Sequence, residues 1–253
     1  MAQPGLSTPR LSIIVPYRDR PEQLARFVPH LNAYFARDKL DKDIPWRLTI
    51  VEQAAGKDFN RGLLKNIGFL LTEAQADYVC FHDVDYLPIW ADYRPPDRPT
   101  RIVWYGAELA PLFPGSADGL AHDYQTFFGG VVLFATADFR RINGYSNDYW
   151  GWGFEDNDAA ERCRIEGLAI GLRDGTFEAL HHQNAGFDRG GRATPEHMRN
   201  AALHAQKKAA MAATRAHRAD GLTNAHFVVR ERHQARDAAG NPIAAIARVI
   251  VEV

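Results

Sequence analysis

Apolar positions along this chain change period several times, and the changes lay out its elements. Residues 11–16 (Leu-Ser-Ile-Ile-Val-Pro) form a short apolar run closed by a proline, the pattern of a buried strand. Leu24, Phe27, Val28, Leu31 and Phe35 then recur at helical spacing, and Pro29 is expected to kink or divide that helix. Residues 47–53 read as a second strand, 59–71 as a second helix with Asn60 as a possible cap, and 78–82 as a third strand. This order predicts an α/β fold with a parallel, Rossmann-like sheet.

Further along the pattern is less regular. Residues 91–124 are rich in Pro, Gly and Asp and read as irregular structure over the top of the sheet. Residues 127–134 resemble a central strand, with glycines where a ligand would approach closely. A short helix at 137–142 leads to the turn signal Asn143-Gly144, and 159–166 is helix-like. Residues 168–172 and 176–180 read as short strands ending at His181-His182. Residues 183–194 hold three glycines with little apolar periodicity, the mark of a mobile lid. Thr194 and Pro195 start an alanine-rich helix reaching about Arg218, and strands at 225–232 and 244–253 close the chain as a hairpin. With no internal repeat and no clear linker, residues 1–253 read as one domain.

Composition narrows the function. The 253 residues are 46% hydrophobic, enough for a sizeable core. Thirty basic against 31 acidic residues leave a formal net charge of −1, which gives no electrostatic case for nucleic acid. Two cysteines make no disulfide framework and suit a reducing compartment. No stretch approaches the ~20 apolar residues of a membrane span. The expectation is a cytoplasmic protein.

Chemistry gathers at two places. The third predicted strand ends in His82-Asp-Val-Asp85, and ligands of such sheets bind at the carboxyl ends of strands. In extended chain Asp83 and Asp85 would share a face and converge on one Mg²⁺ or Mn²⁺ holding a diphosphate, with either His181 or His182 completing the site. The second place is the run from Asn143 to Asp158. Trp150 and Trp152 alternate there with Gly151 and Gly153, and Glu155, Asp156 and Asp158 follow at a helix start. Flat indoles stack on sugar rings. A helix dipole should keep Asp156 ionised near pH 7 and able to take a proton. The plainer alternative is an acidic helix cap behind a packed aromatic loop.

Taken together these motifs resemble the β-1,4-galactosyltransferases of glycosyltransferase family 7. The matching pieces, in family order, are Ile14-Val-Pro-Tyr-Arg-Asp-Arg20, Phe59-Asn-Arg61 with Asn66-Ile-Gly-Phe69, His82-Asp-Val-Asp85, Phe128-Gly-Gly-Val131 and the 143–158 segment. The His-Asp-Val-Asp form is most like the branch that galactosylates xylose. The resemblance implies a GT-A fold, a UDP-galactose donor, a glycan acceptor, Mn²⁺ and inversion at the anomeric carbon. It implies a nucleotide-binding half at 1–90 and an acceptor and catalytic half at 91–253. Pro16, Arg18, Arg20, Phe59, Arg61 and Val84 would hold the nucleotide. Asp83, Phe127, Gly130 and Trp152 would meet the ribose or donor sugar, and Asp85 would ligate the metal. Trp152, Gly153, Glu155 and Asp156 would contact the acceptor, with Asp156 as the base and Glu155 as a second catalytic residue.

Departures from the family pattern are Phe154, Asn157, Phe127 in place of a tyrosine, and the sequence around His181-His182. With no membrane anchor in the sequence, a bacterial enzyme is expected. The alternatives are transfer of N-acetylgalactosamine or another hexose, and a sugar- or nucleotide-binding module without catalysis.

Overall fold

The computed structural model describes residues 8–37, 44–102, 128–180, 188, 191–236 and 242–253. Its first strand, β1 (Leu11–Tyr17), is buried along its whole length. There follow α1 (Pro21–Ala36), β2 (Trp46–Gln53), α2 (Arg61–Thr72) and β3 (Tyr78–His82). Leu11, Ile13 and Val15 pack in one cluster with Phe27, Leu31 and Tyr34 of α1. Ile14 points the other way, into a cluster with Leu64 and Ile67 of α2. A strand covered on both faces needs no polar side, which is why its sequence runs apolar without alternation.

Two helix details bear on the sequence reading. Of the two outcomes expected at Pro29, division of the helix does not occur, and α1 runs on for 16 residues. Burial of Phe27, Leu31, Tyr34 and Phe35, at about 1.5–3 kcal/mol each, outweighs the roughly 3 kcal/mol cost of an internal proline. In α2 the Asn60 side chain accepts from the Leu63 amide, so the cap is where the sequence placed it.

The later elements are β4 (Tyr86–Ala91), β5 (Thr100–Arg101), β6 (Val131–Ala135), α3 (Thr136–Arg141), α4 (Glu155–Ile165), β7 (Gly171–Leu172) and β8 (Gly175–Ala179). Then come α5 (Pro195–Thr214), β9 (Val228–Arg236) and β10 (Pro242–Glu252). Among the described residues eight strands form one sheet in the order β7-β5-β6-β3-β1-β2-β10-β9, while β4 and β8 pair separately. β1 lies parallel to β2 and β3, and β10 lies parallel to β2. β6 is antiparallel to β3, so it does not continue the parallel series of the first half. The C-terminal hairpin extends the main sheet through β10, and its turn at 237–241 lies outside the described residues.

Some boundaries move. The strand expected from 127 begins at Val131, after Phe128, Gly129 and Gly130. α5 stops at Thr214 because Arg215 turns left-handed, at φ 54°, and a 3-10 turn (Ala216–Ala219) follows. The Asn143-Gly144 signal is the stop of α3. The Asn143 amide bonds the Arg140 carbonyl and the Gly144 amide that of Phe139, with φ of 58° and 69°. That Schellman pattern turns the chain toward the 145–154 segment. No helix among the described residues is long and apolar enough to cross a membrane.

Candidate functional site

The end of β1, the start of α2 and the turn after β3 surround a cavity of about 330 Å³. Pro16, Tyr17, Arg18, Asp19 and Arg20 line it where the chain leaves β1, and Asp58, Phe59 and Arg61 line it before and at the start of α2. Asp83, Val84 and Asp85 line it after β3, and Gly151, Trp152 and Glu196 line it from the second half of the chain. Nine residues singled out from the sequence (Pro16, Arg18, Arg20, Phe59, Arg61, Asp83, Val84, Asp85 and Trp152) therefore meet around one space. Their common position follows from the sheet, because parallel strands deliver their exits to one edge.

The two aspartates arrive there by a different route from the one expected. Residues 83–85 form a turn and not extended chain, with the Tyr86 amide 3.4 Å from the Asp83 carbonyl. Gly130, at φ 76°, offers its carbonyl to the Asp83 amide at 2.8 Å. The glycine before β6 thus holds the turn, and the turn aims both carboxylates at the cavity.

Opposite charges pair across the site. Arg20 lies 3.7 Å from Asp85, and Arg61 lies 3.9 Å from Asp83 and 3.1 Å from Glu155. Burial disfavours the Arg61 charge, but Asp83, Glu155, Asp156 and Asp85 outweigh that and raise its pKa. Burial also raises the Asp83 carboxyl, with Arg61 and Lys65 opposing. Arg18 stacks over the Phe59 ring, 5.4 Å from its centroid. Two hard carboxylates beside three arginines suit a divalent cation shared with a diphosphate. Among the described residues no three His, Cys, Asp or Glu side chains cluster as a ready cage. His181, His182 and Phe127 lie outside the described residues. So does most of the expected lid at 183–194, of which Asp188 and residues 191–194 are described.

The tryptophan loop is pinned from α5. Buried Asn200 donates to the carbonyls of Trp150, Trp152 and Gly153 at 3.1, 3.1 and 3.3 Å. On the other side the Gly151 amide bonds the Phe59 carbonyl at 2.8 Å. Gly151 is left-handed, at φ 79°, where a side chain would be strained, and a Cβ there would also press on the Glu196 carboxylate at 2.7 Å. The Trp152 ring lies 5.1 Å from the His197 ring. Gly153, at φ 94°, and Phe154, at φ 74°, then turn the chain into α4.

Glu155 and Asp156 occupy the first turn of α4 and do not line the cavity; Arg61 connects Glu155 to its wall. Asp156 accepts from the Lys65 ammonium at 2.8 Å, and Lys65 is itself buried on α2. The expected lowering by the helix dipole is reversed, because burial pushes Asp156 up to about 6, with Lys65 opposing. Asp156 is still mostly ionised at pH 7. Asp158 turns away to Tyr149 and Arg162 and serves the packing.

Lys65, Asn200, Glu196 and Asp58 are among the members that sequence reasoning missed. For Lys65 a signal existed, since it interrupts the apolar run Leu63, Leu64, Ile67 of a helix that covers the sheet. For Asn200 and Glu196, on a helix far along the chain, there was none.

Known proteins align with this arrangement. A family model described as the N-terminal region of glycosyl transferase group 7 matches residues 3–94. One described as the N-terminal domain of galactosyltransferase matches residues 116–184. Human β-1,4-galactosyltransferase 7 is 36% identical over 181 residues, 68% of this chain and 51% of its own length. The Drosophila melanogaster protein of that name is 33% identical over 183 residues, 70% of this chain and 53% of its own. The chain thus spans about half the length of these curated relatives. The crystal structure of the Drosophila catalytic domain with xylobiose superposes with a TM-score of 0.71 at 26% identity, covering 97% of this chain and 94% of that one. A mutant of the Drosophila enzyme in complex with manganese, UDP-Gal and xylobiose has the same TM-score, 0.71, at 24% identity, which speaks for the fold alone. Two family models matched in chain order and a shared fold over nearly every residue lead to one conclusion: the chain belongs to the β-1,4-galactosyltransferase family, glycosyltransferase group 7, and has its GT-A fold.

Proposed function

We propose that this protein is an Mn²⁺-dependent inverting glycosyltransferase that moves galactose from UDP-galactose to a sugar hydroxyl, forming a β-1,4 link. The observation that carries the reading is the single cavity where Arg18, Arg20 and Arg61 face Asp83 and Asp85 at the strand exits. Arginines suit a diphosphate, and paired carboxylates suit the cation that accompanies it. The xylobiose complex of the Drosophila relative and the galactosyltransferase names of the curated relatives support the same assignment.

In this reading Pro16, Phe59 and Val84 bound the nucleotide while the arginines hold its phosphates. Asp83 faces the ribose or donor sugar, with Phe127 and Gly130 at the donor pocket. Asp85, with His181 or His182, would hold the metal. A bound cation would neutralise charge growing on the leaving diphosphate. Trp152, Gly153 and Glu155 orient the sugars. The acceptor oxygen bonds to the anomeric carbon as the bond to UDP breaks, UDP leaving with the electron pair. Asp156 takes the hydroxyl proton. One displacement inverts the centre. We further propose that the chain works as one domain, residues 1–90 binding nucleotide and 91–253 supplying acceptor and catalytic groups. Its two buried, unbridged cysteines suit a cytosolic setting.

The test is UDP release and product analysis with UDP-galactose, UDP-N-acetylgalactosamine and UDP-glucose, each against xylosides and N-acetylglucosaminides. The expected outcome is galactose transfer that stops in chelator and returns with Mn²⁺ better than with Ca²⁺, with a β-1,4 link by NMR. Preference for another sugar would correct the donor. UDP-sugar binding without turnover in any combination would leave a binding module.

A further inference from the structure

Lys65 stands in α2 with its side chain 2% exposed, and its ammonium lies 2.8 Å from Asp156 Oδ1. It also sits 4.4 Å from the centre of the Tyr145 ring, which shields it from water on that side. Burying an ammonium is costly unless it is paired, so this position must be compensated by what it touches. Among the described residues its hydrogen-bonded carboxylate is Asp156. Arg61, the other cation nearby, is shared between Asp83 and Glu155.

Resting on the proposed role of Asp156, we propose that Lys65 is a positioning residue for the transfer reaction, orienting the Asp156 carboxylate and keeping it ionised to accept the acceptor proton. The surroundings explain why such a group is needed. Asp156 is faced by Lys65 and Arg61 from α2, by Asp83 from the turn after β3, by Tyr145 from the preceding loop and by Glu155 of its own helix. Burial and the two neighbouring carboxylates push it toward the neutral acid, which cannot accept a proton. Lys65 is the largest influence opposing them. With it, Asp156 titrates near 6 and serves as a base at neutral pH. Without it the carboxyl would hold its proton to higher pH, with less of it ionised at neutrality. The bond also fixes one carboxylate oxygen and leaves the other for the acceptor hydroxyl.

The test compares kcat/KM against pH for wild type, Lys65→Met and Lys65→Arg, using whichever donor and acceptor the wild type turns over. Lys65→Met should move the acid limb up by about one unit or more. For a one-unit move, activity at pH 6 would then fall about fivefold further than at pH 9. Lys65→Arg should restore the limb in part. A folded Lys65→Met variant with an unmoved acid limb would overturn the inference and leave the transferase reading intact. A wild type with no turnover would instead remove that reading. In case Lys65→Met fails to fold, the wild type carries a second readout, the ¹⁵Nζ NMR signal of Lys65. It should shift with the midpoint of the acid limb as Asp156 gains its proton, and a signal flat through the limb overturns the inference equally.

Discussion

Asp156 is the residue on which the chemistry turns. Helix position alone would hold it low, as the N-terminal dipole is worth about 0.3–1 kcal/mol at exposed sites. Burial is the larger effect and has the opposite sign, so its carboxyl titrates near 6. A base must be ionised to accept a proton. Turnover should therefore be full above that value and decline as pH falls through about 6, which a kcat/KM profile will show. Asp156→Asn keeps the shape and the Lys65 contact but cannot take the proton. It should lower kcat by roughly 10²–10⁴ with UDP-sugar affinity nearly unchanged, measured by calorimetry beside steady-state kinetics. A near-wild-type rate would pass the role to Glu155.

At the scale of elements, α2 and α5 hold the site from two sides. α2 carries Arg61 and Lys65 and lies close on the sheet through Gly68, where a Cβ would come 2.3 Å from Ile14 Cγ2. α5 carries Asn200, whose amide closes three carbonyls of the tryptophan loop. Asn200→Ala removes that donor without adding bulk. Stability should drop by about 1–3 kcal/mol in urea titration as the loop carbonyls lose their partner. KM should rise more than kcat falls, because the loop that orders Trp152 is loosened while Lys65 and Asp156 stay in place. An unchanged KM would mean that the loop holds its shape without α5.

Across the whole molecule, one buried network joins segments far apart in sequence. Arg162 bonds Asp158, the Gly144 carbonyl, and both the carbonyl and the carboxylate of Asp220. Lys207 adds a second cation to Asp220 at 2.8 Å. Burial would raise the Asp220 carboxyl, but Arg162 and Lys207 prevail and hold it below its ordinary value. A depressed folded-state pKa contributes stability above the ordinary carboxylate range that is lost as pH falls through the folded value. Asp220→Asn should then cost about 1–3 kcal/mol at pH 7. The gap to wild type should narrow as pH falls below the ordinary carboxylate range and close only at a pH below the depressed folded value, where the native carboxylate is protonated too. Urea unfolding of both proteins at pH 7 and across this fall checks this, and an equal gap throughout would show that the charge of Asp220 is not what it contributes.

What the sequence determined by itself was local. Strand 11–16, the Asn60 and Thr194 caps, the α3 stop at Asn143-Gly144 and the clustering of polar residues at strand exits each follow from backbone and burial preferences within a few neighbours. The family followed from motif strings of the same short range. Tertiary structure decided whatever depends on distance through space and on water removed. It set β6 antiparallel to β3, aimed Asp83 and Asp85 by a turn held from Gly130, and carried α1 past Pro29 on the strength of packing. It also brought Lys65 to Asp156, 91 positions away, and reversed the sign of that carboxylate's shift. A dipole can be read from a residue's place in a helix. Desolvation and a buried counter-charge cannot, because they belong to everything the folded chain packs around that residue.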